Sequence, residues 1–303
     1  MEKIARIFDY MKEAFHLNKE NRALYKPQIV LIFIKTMFFI FTGVLFYKVM
    51  LYIGENKFWM SSLWQLIFGI IFWSLSIVLV LAILGVIVEA GLYNMYKSCI
   101  VNGAIGKRAF LDGVKKYFMR FLLADFLMII AWILFLVPFI FIGLVTLMVG
   151  FVLLPLLFSI FTAMWKVNMV MEDTRVIEGL RNSISFARSH FLPLGFLIMI
   201  RSAFLSIASG KSGAGGSNSA GTRTQIGPAR ENMMFANMYK EIFPYLKTAF
   251  YVLMPVVSVA IVISSLVRMV FQVFFSLCIF IIYQEITLGD EVIDEGGVEH
   301  VVR

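Results

Sequence analysis

From Met119 to Trp165 the sequence holds 47 residues of which only Arg120 and Asp125 are charged. A soluble helix of that length would show a polar face every turn or two. A run of about 20 apolar residues is already long enough to cross a bilayer. Four further apolar blocks accompany this one, at about 29–53, 60–96, 191–208 and 245–283. Charged residues make up 15% of the 303, against the roughly 25% of soluble domains. The chain therefore reads as an all-α, polytopic helical membrane protein.

The 119–165 block is too long for one span and must fold back. Pro138 to Gly143 offers the turn, Pro breaking the helix and Gly permitting the reversal. Two spans result, Met119–Val137 and Leu144–Trp165, and the total becomes six. A rival turn at Ser264–Ser265 would make seven and move the C-terminus across the membrane. Three regions follow: a cytoplasmic amphipathic segment 1–28, a single transmembrane domain 29–285, and an acidic tail 286–303. A Gly/Ser-rich outer loop, 209–232, interrupts the domain and has the composition of a flexible linker. No apolar signal-peptide core precedes the first span.

Lysine and arginine set the orientation. They crowd the N-terminal segment, the loop after span two (Lys97, Lys107, Arg108, Lys115, Lys116) and the loop after span four (Lys166, Arg175, Arg181, Arg188). By the positive-inside rule both termini are cytoplasmic. The net charge of +8 thus reflects topology and is no sign of a nucleic-acid partner. Several chemistries lack their residues. His16, His190 and His300 form no HExxH motif, Cys99 and Cys278 suggest neither disulfide nor metal, and no Ser/His/Asp set can be assembled. Gly210-Lys211-Ser212 is not a phosphate-binding loop, because Leu205 stands where that motif needs glycine. The expectation is a non-enzymatic protein without a cofactor.

Three amphipathic segments precede spans: Ile4, Ile7, Phe8, Met11 and Phe15 on one face; 110–117; and 176–189, with Val176, Leu180, Ile184 and Ala187 at helical spacing. Asp112-Gly113-Val114-Lys115 and Glu178-Gly179-Leu180-Arg181 share the order acidic, Gly, aliphatic, basic. They suggest repeated units of a surface helix plus a membrane hairpin. Arg175, Arg181 and Arg188 would form a basic collar for the headgroups of anionic lipids, or simple anchors at the membrane edge.

Ionisable residues inside spans are costly and mark candidate sites. Glu89 and Asp125 are candidate intramembrane charge partners, paired with the nearby Lys97 and Arg120 or with groups across helices. Arg201 lies about ten residues into span five and Arg268 well inside span six, where no acidic residue is expected beside them. They are candidate contacts for an anion or lipid phosphate, or arginines held by carbonyls and water.

The stretch Trp165-Lys166-Val167-Asn168-Met169-Val170-Met171-Glu172, then Arg175 to Ser183, then Phe191-Leu192-Pro193-Leu194, resembles prokaryotic membrane proteins. These are grouped as the membrane domain of glycerophosphoryl diester phosphodiesterase and its uncharacterised relatives. The six-span layout agrees with that family over most of the chain, and a plasma-membrane location is expected. The resemblance implies no phosphodiesterase activity, for which this chain has no room. Two functions are expected: binding of membrane lipid, a protein partner or a second copy at the cytoplasmic collar; or a transporter or exporter subunit for an anionic or amphiphilic solute.

Overall fold

The computed structural model describes residues 2–55, 60–146, 149–208 and 228–298. Among these the chain is helical and contains no strand. Nine α-helices follow in order: α1 (Glu2–Glu20), α2 (Lys26–Glu55), α3 (Met60–Asn102), α4 (Ala109–Val145), α5 (Val149–Thr162), α6 (Trp165–Met171), α7 (Val176–Ser189), α8 (Phe191–Ala208) and α9 (Pro228–Val298). A single 3-10 turn, Arg22–Tyr25, joins α1 to α2. Five stretches are long and apolar enough to span a membrane: Arg22–Val49, Phe68–Asn102, Ala109–Leu136, Leu154–Met171 and Phe250–Thr287. A sixth arises if α7 and α8, bent by 102° at His190, count as one broken span. The all-α, multi-pass architecture follows directly.

Two boundaries differ from the sequence expectation. Helix α4 runs through Pro138 and ends at Val145, so the reversal after span three comes later than Pro138–Gly143. Proline in a spanning helix removes one hydrogen bond without ending it, since local adjustment satisfies the freed carbonyl. Helix α9 continues unbroken past Ser264 and Ser265, which removes the seven-span alternative. It begins at Pro228, so the segment from 231 onward extends the last span backward. Most of the 209–232 loop, residues 209–227, lies outside the described residues, as does the chain end at 299–303.

The chain divides into two units. The first comprises 1–29, 83–208 and 268–303, and holds the main core. Tyr93 meets Phe121 and Phe280 edge-on, each with ring centroids 5.3 Å apart, and Tyr96 lies against Phe280 at 5.6 Å. Helix α5 packs against α4, α7 and α8, while α1 lies along α8. On α1 the buried face is Ile7, Ala14 and Asn18, and Phe8 and Phe15 are exposed. The expected apolar face therefore splits, one edge packing on the protein and the other left for the bilayer interface. The 110–117 segment is not a separate helix but the opening turns of α4.

The second unit comprises 30–82 and 209–267. Gly43 lets α2 and α9 approach closely, with Met254 and Phe250 against it. Tyr47 stacks on Phe250 at 4.8 Å and meets Tyr251 edge-on at 5.5 Å. Phe68, Phe72, Leu75 and Leu79 on α3 are all more than 60% exposed. Large exposed apolar area of this kind is rare on soluble monomers and natural on a lipid-facing surface.

Candidate functional site

Two neighbouring sites lie in the first unit, one charged and one apolar. The charged site centres on Lys166. Its Nζ sits 2.6 Å from Glu89 Oε2 on α3 and 2.6 Å from Asp125 Oδ1 on α4. The Lys166 side chain is only 18% exposed, and its ammonium also lies 5.2 Å from the Phe121 ring centre. A lysine buried that far needs paired carboxylates to remain charged. All three residues fall within membrane-spanning stretches. Glu89 and Asp125 therefore find their partner across helices, not in Lys97 or Arg120.

Those two bases serve another purpose. Lys97 Nζ donates to the carbonyls of Val170 at 2.7 Å and Met171 at 2.9 Å, closing the C-terminal end of α6. A cation there also complements the helix dipole. Arg120 and Lys116 both pair with Asp173, at 2.7 and 2.8 Å. Asp173 holds a left-handed backbone, φ 58°, at the turn between α6 and α7. The Lys116 ammonium, joined by Arg120, keeps its carboxyl below the usual carboxylate range.

Around the Lys166 cluster opens a cavity of about 380 Å³. Tyr93, Ser159, Thr162, Arg201 and Ser202 line it together with the three charged residues. Arg201 is thus placed on one cavity with two carboxylates, where the sequence suggested none nearby. The physical reason is helix length. Asp125 lies sixteen residues past the start of α4, about 24 Å along its axis, far deeper than a span-edge residue. Among the described residues Arg201 makes neither a hydrogen bond nor an ion pair, although it faces this cavity. Arg268 stands exposed on α9 and does not line it.

The sequence places Lys166 in a cytoplasmic loop, because the span is ended at Trp165. The signal against that is the apolar run itself, which continues through Val167, Met169, Val170 and Met171, all but the last buried. No metal-binding group of three or more His, Cys, Asp or Glu occurs among the described residues.

The apolar site is a groove of about 600 Å³ bounded by α4, α5 and α7. Leu127, Ile130 and Leu134 form one wall, and Ile177, Leu180 and Ile184 another. Arg188 is its one charged lining residue. Helix α7 is seated by three polar anchors. Ser183 Oγ donates to Phe161 O at 2.7 Å, Trp165 Nε1 to Val176 O at 2.7 Å, and Asn168 Nδ2 to Gly179 O at 3.3 Å. Its buried stripe is Val176, Gly179, Ser183 and Ala187. The expected stripe is therefore rotated, and Leu180 and Ile184 turn toward the groove. Arg181 stands four residues past Ile177 and seven before Arg188, on the same side of the helix. Arg175 and Arg181 are exposed, and Arg175 marks the start of α7.

The repeated acidic-Gly-aliphatic-basic pattern has a structural counterpart. A Cβ on Gly113 would lie 2.5 Å from Asn94 Cβ and 2.9 Å from Ala90 O. One on Gly179 would lie 2.8 Å from Met169 Cγ. Each glycine lets a helix start dock on the helix before it. In each case an asparagine of that earlier helix bonds a carbonyl of the incoming one: Asn94 to Ala109 O at 2.7 Å, and Asn168 to Gly179 O. Each preceding helix is followed by a left-handed residue, Gly103 or Asp173.

Comparison with known proteins returns no matching family model, no matching curated protein and no matching solved structure.

Proposed function

We propose that this integral membrane protein is a non-enzymatic binder of anionic lipid at the cytoplasmic face. The carrying observation is the α4–α5–α7 groove, apolar along its length and charged only at Arg188. The stripe from Ile177 to Arg188 is about 16 Å long, the reach of an extended portion of one acyl chain. A phosphate would meet Arg188, with Arg181 beside it and Arg175 completing the basic collar. Guanidinium suits phosphate because its planar donors bind two oxygens at once. The 102° bend between α7 and α8 supports the same reading, with α7 along the membrane surface and α8 entering it. Both termini are cytoplasmic in this arrangement, and the membrane is the plasma membrane. Protein extracted with its lipids should carry anionic phospholipid, and Arg175→Gln, Arg181→Gln, Arg188→Gln together should strip it. Unchanged lipid content would sink the proposal.

A second reading has one specific observation in its favour, the charged cavity among the spans. A transporter or exporter subunit would lead an anionic or amphiphilic solute past Arg201, with Arg268 further along. Unaltered flux in an Arg201→Ala, Arg268→Ala double variant would count against it.

A further inference from the structure

The Lys166 cavity has a charge arrangement that the lipid groove does not use. Two carboxylates and two cations face it, so its formal charge sums to zero. Yet the pairing is lopsided. Lys166 takes one oxygen from each acid, Glu89 Oε2 and Asp125 Oδ1. Glu89 Oε1 and Asp125 Oδ2 accept no hydrogen bond among the described residues, and the Arg201 guanidinium donates none. The cavity thus keeps an unengaged cation on α8 and two half-engaged anions on α3 and α4.

Within a bilayer this neutrality selects the occupant. A net-charged ligand would leave an uncompensated charge in a poorly polarisable surrounding, at high cost. A ligand bearing both signs keeps the sum at zero and engages both ends. An ammonium donates to the free Glu89 and Asp125 oxygens. A phosphate accepts from Arg201 in bidentate fashion, where guanidinium outperforms ammonium. Ser159, Thr162 and Ser202 add hydroxyls to the wall. The volume, about 380 Å³, is at the small end of ligand sites and suits a headgroup-sized molecule, not a whole lipid.

We propose that the cavity between α3, α4, α5, α6 and α8 is a binding site for a primary-ammonium phosphodiester zwitterion. Ethanolamine phospholipid headgroups and free glycerophosphoethanolamine, both phosphodiesters with one negative and one positive charge, share that chemistry. The site adjoins the Arg188 groove across Met128, Thr162 and Trp165, but its charged residues line only the cavity, so charge variants there leave Arg188 in place and either site can fail without the other.

The test uses the full chain in phosphatidylcholine nanodiscs, examined by native mass spectrometry. In one arm the discs contain phosphatidylethanolamine. In the other, free glycerophosphoethanolamine is titrated against ethanolamine alone and glycerophosphoglycerol alone. Retention in the first arm identifies a lipid headgroup, and binding in the second a free solute. In the second arm the zwitterion should bind at least tenfold tighter than its single-charge halves, a result that needs no variant. Arg201→Gln should weaken it at least tenfold. Glu89→Gln, which leaves Lys166 paired with Asp125, should erase the preference over glycerophosphoglycerol while phosphodiester binding persists. Absence of binding in both arms overturns the proposal, as does glycerophosphoglycerol binding as tightly as glycerophosphoethanolamine.

Discussion

Lys166 is the residue on which the charged core depends. Replacing it with Met leaves two carboxylates without their shared cation. Hydrogen bonds to charged groups contribute about 1.5–3 kcal/mol each, so Lys166→Met should lower the unfolding midpoint clearly. Adding Glu89→Gln and Asp125→Asn should recover much of the loss, since a neutral cluster carries no buried charge. Thermal unfolding in detergent of the single and triple variants checks this; a triple variant no more stable than Lys166→Met would contradict it. Asp173 makes the matching prediction for pH. Its carboxyl titrates lower in the folded state than in the unfolded chain, where it would lie near 3.9. Its contribution is therefore complete at neutral pH and fades as pH falls below about 4 toward the folded value. The protection of amides 171–176 against exchange, taken relative to the intrinsic rate at each pH, should fall over that acid range, and Asp173→Asn should remove that loss. High salt should act in the same direction as acid, because the Asp173 side chain is 44% exposed.

At the scale of elements, the two docking glycines give opposite signs to a familiar rule. Alanine in a helix interior is ordinarily favoured over glycine by about 0.5–1 kcal/mol. At Gly113 the added methyl meets a backbone carbonyl and a Cβ, neither of which can swing aside. Gly113→Ala should therefore destabilise, by about 1–3 kcal/mol of overpacking. Gly179→Ala meets the flexible Met169 side chain first and should cost less. Equal or stabilising effects would mean that α4 does not pack on α3 as closely as described. The sequence pattern around these glycines was legible before their geometry, as were the apolar runs, the amphipathic α7 and the exposure of its arginines. Periodicity marks a helix and its faces. It does not say which turn of one helix meets which turn of another, so Lys166 reads as a loop lysine until α3 and α4 are set beside it. The same limit explains the rotated face of α7. Ser183 is polar by type, yet it is buried because its hydroxyl finds the Phe161 carbonyl. Pro138 misleads for a different reason: in lipid an unsatisfied backbone is so costly that a helix bends around proline before it stops.

For the whole molecule, topology and lipid recognition are linked. With six crossings both ends share one side, and the basic face of α7 lies on that side too. Single cysteines introduced at Lys12 and at Arg181 in a chain lacking Cys99 and Cys278 should both label only from the cytoplasm. Labelling of the two sites from opposite sides would refute six crossings. The groove beside α7 is proposed to hold an anionic lipid through Arg188. This proposal is tested most directly by native mass spectrometry of the protein released from nanodiscs containing phosphatidylglycerol and phosphatidylcholine. The predicted result is a retained phosphatidylglycerol adduct, reduced about tenfold by Arg188→Gln and further by adding Arg175→Gln and Arg181→Gln. An adduct of equal abundance in wild type and triple variant, or none in the wild type, would contradict the account.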